Sequence, residues 1–407
     1  MTKVLVVFGT RPEAIKLSPL VLHLGACRRI FQVKVCVTAQ HRGMLDSILA
    51  RFGVQPDYDL DVMAPNQSLS ALTGRILSGM EPILRKDKPD IVLVQGDTTT
   101  TFAAALASFY HRVPVGHVEA GLRTGDLGQP FPEELNRALT TKLSCLHFAP
   151  TQRAAANLLG EGVPSERVVV TGNTGIDALL YTRDRLERGE WPGFTGELPP
   201  PGKHFVLMTA HRRESFGAGL ESICAAALRI AARGDTEIIY PVHPNPNVRS
   251  VVEQRLKNVP GIRLIEPVDY VPFVDLMRRA TLLLTDSGGV QEEAPSLGKP
   301  VLVMRNKTER QEAVEAGTAR LVGTDTGKIV SEVNLLLDAV SHHEANEFRS
   351  NPFGDGKACA RIVSSLLNLS RRDGAHTQSL AYRDQSSAGA VNRALDQLHE
   401  ESIFNRV

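Results

Sequence analysis

Short apolar, β-rich runs alternate with amphipathic stretches along most of this chain, and that alternation restricts its fold more than any other feature. In the first half, residues 4–8, 32–37, 91–94, 114–118 and 167–170 read as strands with helical segments between them. In the second half, residues 205–208, 237–240, 263–265, 281–284, 300–303 and 319–322 repeat the pattern. Such an order builds doubly wound parallel sheets. A Pro/Gly-rich interval, WPGFTGELPPPGK at 191–203, separates the halves. The predicted fold is therefore α/β, with two Rossmann-like domains facing a cleft. The expected domains are 1–190 and 204–355, with 191–203 as linker. An amphipathic helix is expected over 356–370 and a polar, mobile tail over 371–407, where large apolar residues thin to Leu380 and Tyr382 before Val391.

A chain of 407 residues is too long for one ordinary core, which agrees with two domains. Lys and Arg number 46 against 45 Asp and Glu, so no basic excess exists to hold a nucleic-acid backbone or an anionic membrane surface. The cysteines Cys27, Cys36, Cys145, Cys224 and Cys359 are odd in number and far apart, without metal-type or redox spacing. A reducing compartment, the cytoplasm, is expected. The first apolar run is too short for a signal-peptide core, and no stretch reaches the length of a membrane span, so a soluble protein is expected.

Ligands of doubly wound sheets bind at the carboxyl ends of strands, and polar residues collect there in this sequence. The stretch LLLTDSGGVQEEAPSLGKP at 282–300 is the most informative. An apolar strand is followed by Asp286-Ser287-Gly288-Gly289 and then by a helix-forming segment. The glycines allow a tight turn that points the first N–H groups of the helix outward, where they and the helix dipole favour phosphate. Glu292 and Glu293 follow, and one carboxylate can reach back to ribose hydroxyls. A dinucleotide fingerprint is missing: the nearest approach, starting at Gly217, lacks the last glycine and begins too far past its strand. The run Gly323 to Lys328 is one residue short of a P-loop. No cofactor is predicted. Arg11, Lys16 and Arg310 also stand near strand ends; any one reads first as a solvated charge, but together they suit a diphosphate leaving group.

Acid and base candidates are Asp97, Glu119, Glu133, Glu134 and His211. Asp97 precedes a helical segment and reads equally as an N-cap. Pro132 is a natural first helical residue, after which Glu133 and Glu134 serve equally to complement a helix dipole. His211, at a strand end beside two arginines and a glutamate, is poorly suited to a core. His117 and His243 read as readily as partly buried, satisfied histidines. No set of side chains has metal-ligand spacing.

Taken together, GTRPEAIK (9–16), QHR (40–42), QGDTTTTFA (95–103), HVEAGLRTGD (117–126), PFPEELNR (130–137), TGNTGIDAL (171–179), TAHRRESFG (209–217) and TDSGGVQEEAPSLGKPVLVMR (285–305) resemble the bacterial non-hydrolysing UDP-N-acetylglucosamine 2-epimerases, in order and at family spacing from about residue 3 to 369. The resemblance implies a GT-B-type fold, usually homodimeric, with a last helix crossing back to the first domain. It implies that Arg11, Lys16, His211, Phe273, Ser287, Gly288, Gly289, Glu293 and Arg310 line a UDP site, with Val268 where some members place a glutamine beside the uracil. It further implies that Asp97, Glu119, Glu133 and His211 carry the chemistry, and that Gln40, Gln67, Arg212 and His243 match residues holding a second, activating substrate molecule. Gly43 and Asn66 depart from that set.

The implied reaction is reversible inversion at C2 of UDP-N-acetylglucosamine to UDP-N-acetylmannosamine. The C2 proton is not acidic, so expulsion of UDP to give 2-acetamidoglucal, followed by re-addition, is the expected route. The rival readings are a UDP-sugar glycosyltransferase of the same fold, a hydrolysing or modified-sugar epimerase, and a UDP-sugar sensor without turnover.

Overall fold

The structure is a computed structural model that describes residues 1–39, 42–64, 67–341 and 350–372. Its contacts divide the chain into two units, Met1–Ala178 with the segment from Gly356 onward, and Leu179–Asp355.

The first unit runs β1 (Thr2–Phe8), α1 (Arg11–Ala26), β2 (Phe31–Val37), α2 (Arg42–Phe52), β3 (Tyr58–Asp59), α3 (Leu69–Asp87), β4 (Ile91–Gln95), α4 (Thr99–Tyr110), β5 (Val115–Val118), α5 (Glu133–Leu143), β6 (Leu146–Ala149), α6 (Gln152–Gly160), β7 (Val168–Val170) and α7 (Thr174–Glu187), whose last turns belong to the second unit. Its strands form one parallel sheet in the order β3-β2-β1-β4-β5-β6-β7. The order reverses between β1 and β4, and at such a switch point the loops after the two strands diverge and leave a crevice. Every residue of β4 and β5 is buried, as strands covered on both faces require.

The second unit contains β8 (His204–Thr209), α8 (Ala218–Ala231), β9 (Thr236–Pro241), α9 (Pro246–Leu256), β10 (Ile262–Ile265), α10 (Tyr270–Arg279), β11 (Leu282–Thr285), α11 (Gly288–Glu293), β12 (Val301–Val303), α12 (Gln311–Glu315), β13 (Ala319–Leu321) and α13 (Thr326–Ser341). Its parallel sheet has the order β10-β9-β8-β11-β12-β13, with the switch point between β8 and β11. One core joins the strands to α8, α9 and α13 through Val206, Ile223, Tyr240, Val252, Leu284 and Val333. The buried Tyr240 hydroxyl donates to the Ala210 carbonyl at 2.8 Å, which satisfies its polar end.

The last described helix, α14 (Ala358–Arg372), follows the second unit in sequence but packs on α1 in the first. Asp177 accepts the Ala358 and Cys359 N–H groups at 3.1 and 2.8 Å, and Arg361 donates to the Thr171 carbonyl at 2.8 Å. The interval 191–203 contains no helix or strand and lies in the second unit. Its Phe194 N–H donates to buried Asp275 at 3.0 Å.

Three local expectations are corrected. Strands β3 and β6 were not expected from the sequence: β3 is two residues long, and β6 hides His147 in an otherwise apolar run. Thr98, not Asp97, caps α4, its hydroxyl accepting the Thr101 N–H at 3.1 Å. Pro132 is the cap residue of α5, and the helix starts at Glu133.

Candidate active site

In the first unit, the site grows from the loops after β1, β4 and β5. Thr10 and Glu13 form a capping box at the start of α1. Buried Glu13 also accepts the Thr98 and Thr101 hydroxyls at 2.7 and 3.2 Å, so the β1–α1 and β4–α4 loops are tied together. Burial pushes the Glu13 carboxyl up, against these hydrogen bonds. One and a half turns along, Lys16 points its ammonium at Glu119, 2.6 and 2.7 Å from the two oxygens.

Glu119 follows β5 with φ +64°, a left-handed conformation that costs a non-glycine residue about 1–2 kcal/mol. Its neighbours offset that cost. Besides Lys16, its carboxylate accepts the Asn173 amide at 2.8 Å and the Gln95 amide in a short hydrogen bond. Both oxygens are engaged, and the side chain is 6% exposed.

Asp97 follows β4, beside Glu119's strand. Its side chain is 27% exposed and forms a short ion pair with Arg137 of α5. Burial raises its pKa above the ordinary value, Arg137 opposes this, and Glu119 adds to it. The main chain around it is fixed as well: His117 Nε2 donates to the Gly96 carbonyl at 2.7 Å, and Asn136 donates to the Asp97 carbonyl at 2.9 Å. The hydrogen bond leaves His117 Nδ1 bare, and burial pushes the His117 pKa down to about 4. The paired expectation for Glu133 and Glu134 resolves unequally. Glu134 is buried and accepts the Thr124 and Gly125 N–H groups, both at 3.0 Å. Glu133 is half-buried at the first position of α5. Arg11, also half-buried, makes no ion pair among the described residues.

In the second unit, Asp286 organises the loops after β8 and β11. Fully buried, it accepts the His211 and Arg212 N–H groups at 2.7 Å each and lies 3.1 Å from His211 Nδ1. Burial raises its pKa, but the His211 ring and the two N–H groups prevail and hold the carboxyl below the usual range. His211 stacks on His243 at 5.3 Å between ring centroids. Burial and the nearby His211 push the His243 pKa down.

The Ser287-Gly288-Gly289 turn opens α11, which is only six residues long and gives way to a 3-10 turn at Ala294–Leu297 containing Pro295. The expected helix is present and carries Glu292 and Glu293, but it is short, so its dipole is weak. Arg310 compensates by lying against Gly288, where an added Cβ would meet its Cζ at 3.0 Å. Glu292 holds Arg310 at 2.8 Å, while Glu293 is half-buried at the end of α11. Arg305 joins the neighbouring loops by pairing with Glu214 at 2.5 Å and Glu309 at 2.6 Å. Phe273 on α10 and Val268 just before it are half-buried.

The residues expected for an activating molecule divide between the units. Gln67 belongs to the first and binds Arg75 at 3.0 Å; Arg212 and His243 belong to the second. Gln40 and Asn66 lie outside the described residues. Among the described residues no group of three or more His, Cys, Asp and Glu side chains is placed to hold a metal ion, and no helix is long and apolar enough to cross a membrane. Sequence reasoning missed Arg137, Asn136, Gln95 and Asn173. Each lies inside a quoted motif, but its role depends on a partner brought near only by the fold.

A family model described as UDP-N-acetylglucosamine 2-epimerase matches residues 26–367. The UDP-N-acetylglucosamine 2-epimerase of Escherichia coli (strain K12) is 57% identical over 373 residues, covering 90% of this chain and 98% of that protein. The crystal structure of the Neisseria meningitidis UDP-GlcNAc 2-epimerase bound to UDP-GlcNAc superposes with a TM-score of 0.80 at 48% identity, covering 90% of this chain and 100% of that one. The S. aureus MnaA–UDP structure gives a TM-score of 0.77 at 45% identity, covering 94% and 100%. The pair of parallel-sheet units is the GT-B-like architecture that the sequence predicts. With both the switch-point residues and the match along most of its length in agreement, the chain belongs to the UDP-N-acetylglucosamine 2-epimerase family.

Proposed function

We propose that this chain interconverts UDP-N-acetylglucosamine and UDP-N-acetylmannosamine by anti elimination of UDP and its re-addition. The observation that carries the reading is the contrast between two carboxylates on adjacent strand ends. Glu119 is saturated by Lys16, Gln95 and Asn173, whereas Asp97 is partly open and has a raised pKa. Groups held in unlike states suit unlike roles in proton transfer.

As the C1–O bond breaks, its electron pair leaves with the β-phosphate. A carboxylate takes the C2 proton, and the C–H electrons form the C1–C2 double bond of 2-acetamidoglucal. Return of UDP to C1 and of a proton to the opposite face of C2 completes inversion. Asp97, Glu119 and Glu133 are the acid/base groups of this reading, and His211, held by Asp286, bridges sugar and phosphate. Arg11, Lys16, Arg310, Ser287 and the Gly288 and Gly289 N–H groups stabilise the charge that builds on UDP. Glu293 takes the ribose hydroxyls; Phe273 and Val268 flank the base.

The proposed active form is a cytoplasmic homodimer. A second substrate molecule on Gln40, Gln67, Arg212 and His243 is the proposed activator.

Proton NMR of the purified protein with UDP-N-acetylglucosamine in D2O, without added cofactor, tests the reading. The expected result is a UDP-N-acetylmannosamine signal with deuterium at C2. Free N-acetylmannosamine would instead indicate a hydrolysing enzyme. Transfer of the sugar to an acceptor would indicate a glycosyltransferase, and binding without turnover a sensor.

A further inference from the structure

We propose that Arg137 is a positioning residue of this reaction: it fixes one oxygen of Asp97 and leaves the other unengaged to exchange the substrate's proton. The proposal rests on the assignment of proton transfer to Asp97 made above.

The geometry separates the two carboxylate oxygens. Arg137 Nη2 binds Asp97 Oδ2, and among the described residues Oδ1 has no hydrogen-bond partner. A carboxylate with 27% exposure and one vacant oxygen can accept a proton without first breaking a protein contact. Glu119 cannot, because Lys16 reaches both its oxygens while Gln95 and Asn173 take one each.

Arg137 is itself held. Its side chain is 11% exposed, and its Nη1 lies 3.1 Å from Oε2 of Glu134, whose other oxygen binds the Thr124 and Gly125 N–H groups. The guanidinium fork thus spans two carboxylates, Asp97 in the loop after β4 and Glu134 one turn back on α5, which a lysine's single ammonium does not reproduce. Asn136 and His117 fix the main chain on either side of the Asp97 side chain. Arg137 therefore has the Asp97 side-chain torsions as the main freedom left to restrain.

The charged groups that act on Asp97 are Lys16 on α1, Glu119 after β5 and Arg137 on α5, with His117 on β5 bonded to the adjacent Gly96 carbonyl and Glu134 on α5 paired with Arg137. Arg137 favours the carboxylate form, opposing burial and Glu119. Without it, Asp97 stays protonated to a higher pH, and activity that needs the carboxylate is lost from the acid side first.

The experiment measures kcat, KM and the pH profile of Arg137→Met, Arg137→Lys and Asp97→Asn in the full chain. Arg137→Met is expected to lower kcat roughly 10- to 100-fold with little change in KM, as for a misoriented catalytic group, and to move the acid limb of kcat to higher pH. Arg137→Lys restores the limb more than the rate, and reads the same limb if the methionine variant does not fold. A kcat loss with an unmoved acid limb in both variants would overturn the proposal and leave Arg137 a structural residue. So would a wild-type rate in Arg137→Met beside an inactive Asp97→Asn. An active Asp97→Asn would remove the underlying assignment instead.

Discussion

On the proposed reading, in which Arg310 takes the phosphate end of the site, Gly288→Ala isolates its contribution. The added Cβ would lie 3.0 Å from Arg310 Cζ and 3.2 Å from its Nε and Nη1, so the guanidinium must retreat by a few tenths of an ångström from its place beside Glu292. The backbone supplies no second cause, because Gly288 is an ordinary first helical residue. Replacing glycine in a helix gains about 0.5–1 kcal/mol, which offsets strain of similar size, so Tm should hardly move. A charge-assisted hydrogen bond contributes about 1.5–3 kcal/mol, and a shift of this size forfeits about half. UDP affinity should therefore fall roughly 3- to 12-fold. Isothermal titration with UDP and with uridine separates the causes, since uridine carries no phosphate. Unchanged UDP affinity, or an equal loss for uridine, would refute the placement of Arg310 at the phosphates.

Two further outcomes follow from buried carboxylates. Asp286→Asn should cost about 1.5–3 kcal/mol at neutral pH, because two backbone N–H groups and the His211 ring lose a charged acceptor. The folded carboxyl is depressed, so this contribution is complete above the usual carboxylate value of about 3.9 and disappears as pH falls through the folded value. Urea unfolding from pH 7 to pH 3 should show the two proteins converging in acid; a constant difference would refute the electrostatic account. Asp177→Ala leaves the Ala358 and Cys359 N–H groups without their acceptor and should cost about 1–3 kcal/mol. Hydrogen exchange should speed up first in α14; uniform exchange across the chain would argue against a local anchor.

The fold was legible wherever hydrophobic patterning alone decides it. All the second-unit strands fall where apolar runs predicted them, most plainly β11 and β12, since strands covered on both faces advertise themselves by composition. Strand β6 escaped because His147 breaks its run, and burial drives that imidazole's pKa down to about 3, a cost no local pattern announces. Site residues were visible as types at strand ends. Their partners were not: Arg137 reaches Asp97 across 40 positions and Asn173 reaches Glu119 across 54. The N-cap ambiguity at Asp97 was settled by Thr98, one residue on, which frees the aspartate from capping.

The excursion of the chain through Leu179–Asp355 before α14 returns to the first unit orders events during synthesis. The second unit is one continuous stretch and can complete its core once that stretch has left the ribosome. The first unit begins earlier but finishes later, because the surface of α1 and the carboxylate of Asp177 wait for Ala358 and the residues after it. The unit that carries Asp97 and Glu119 is therefore the last to close, so termination of translation shortly before Ala358 yields a finished second unit and an incomplete first one.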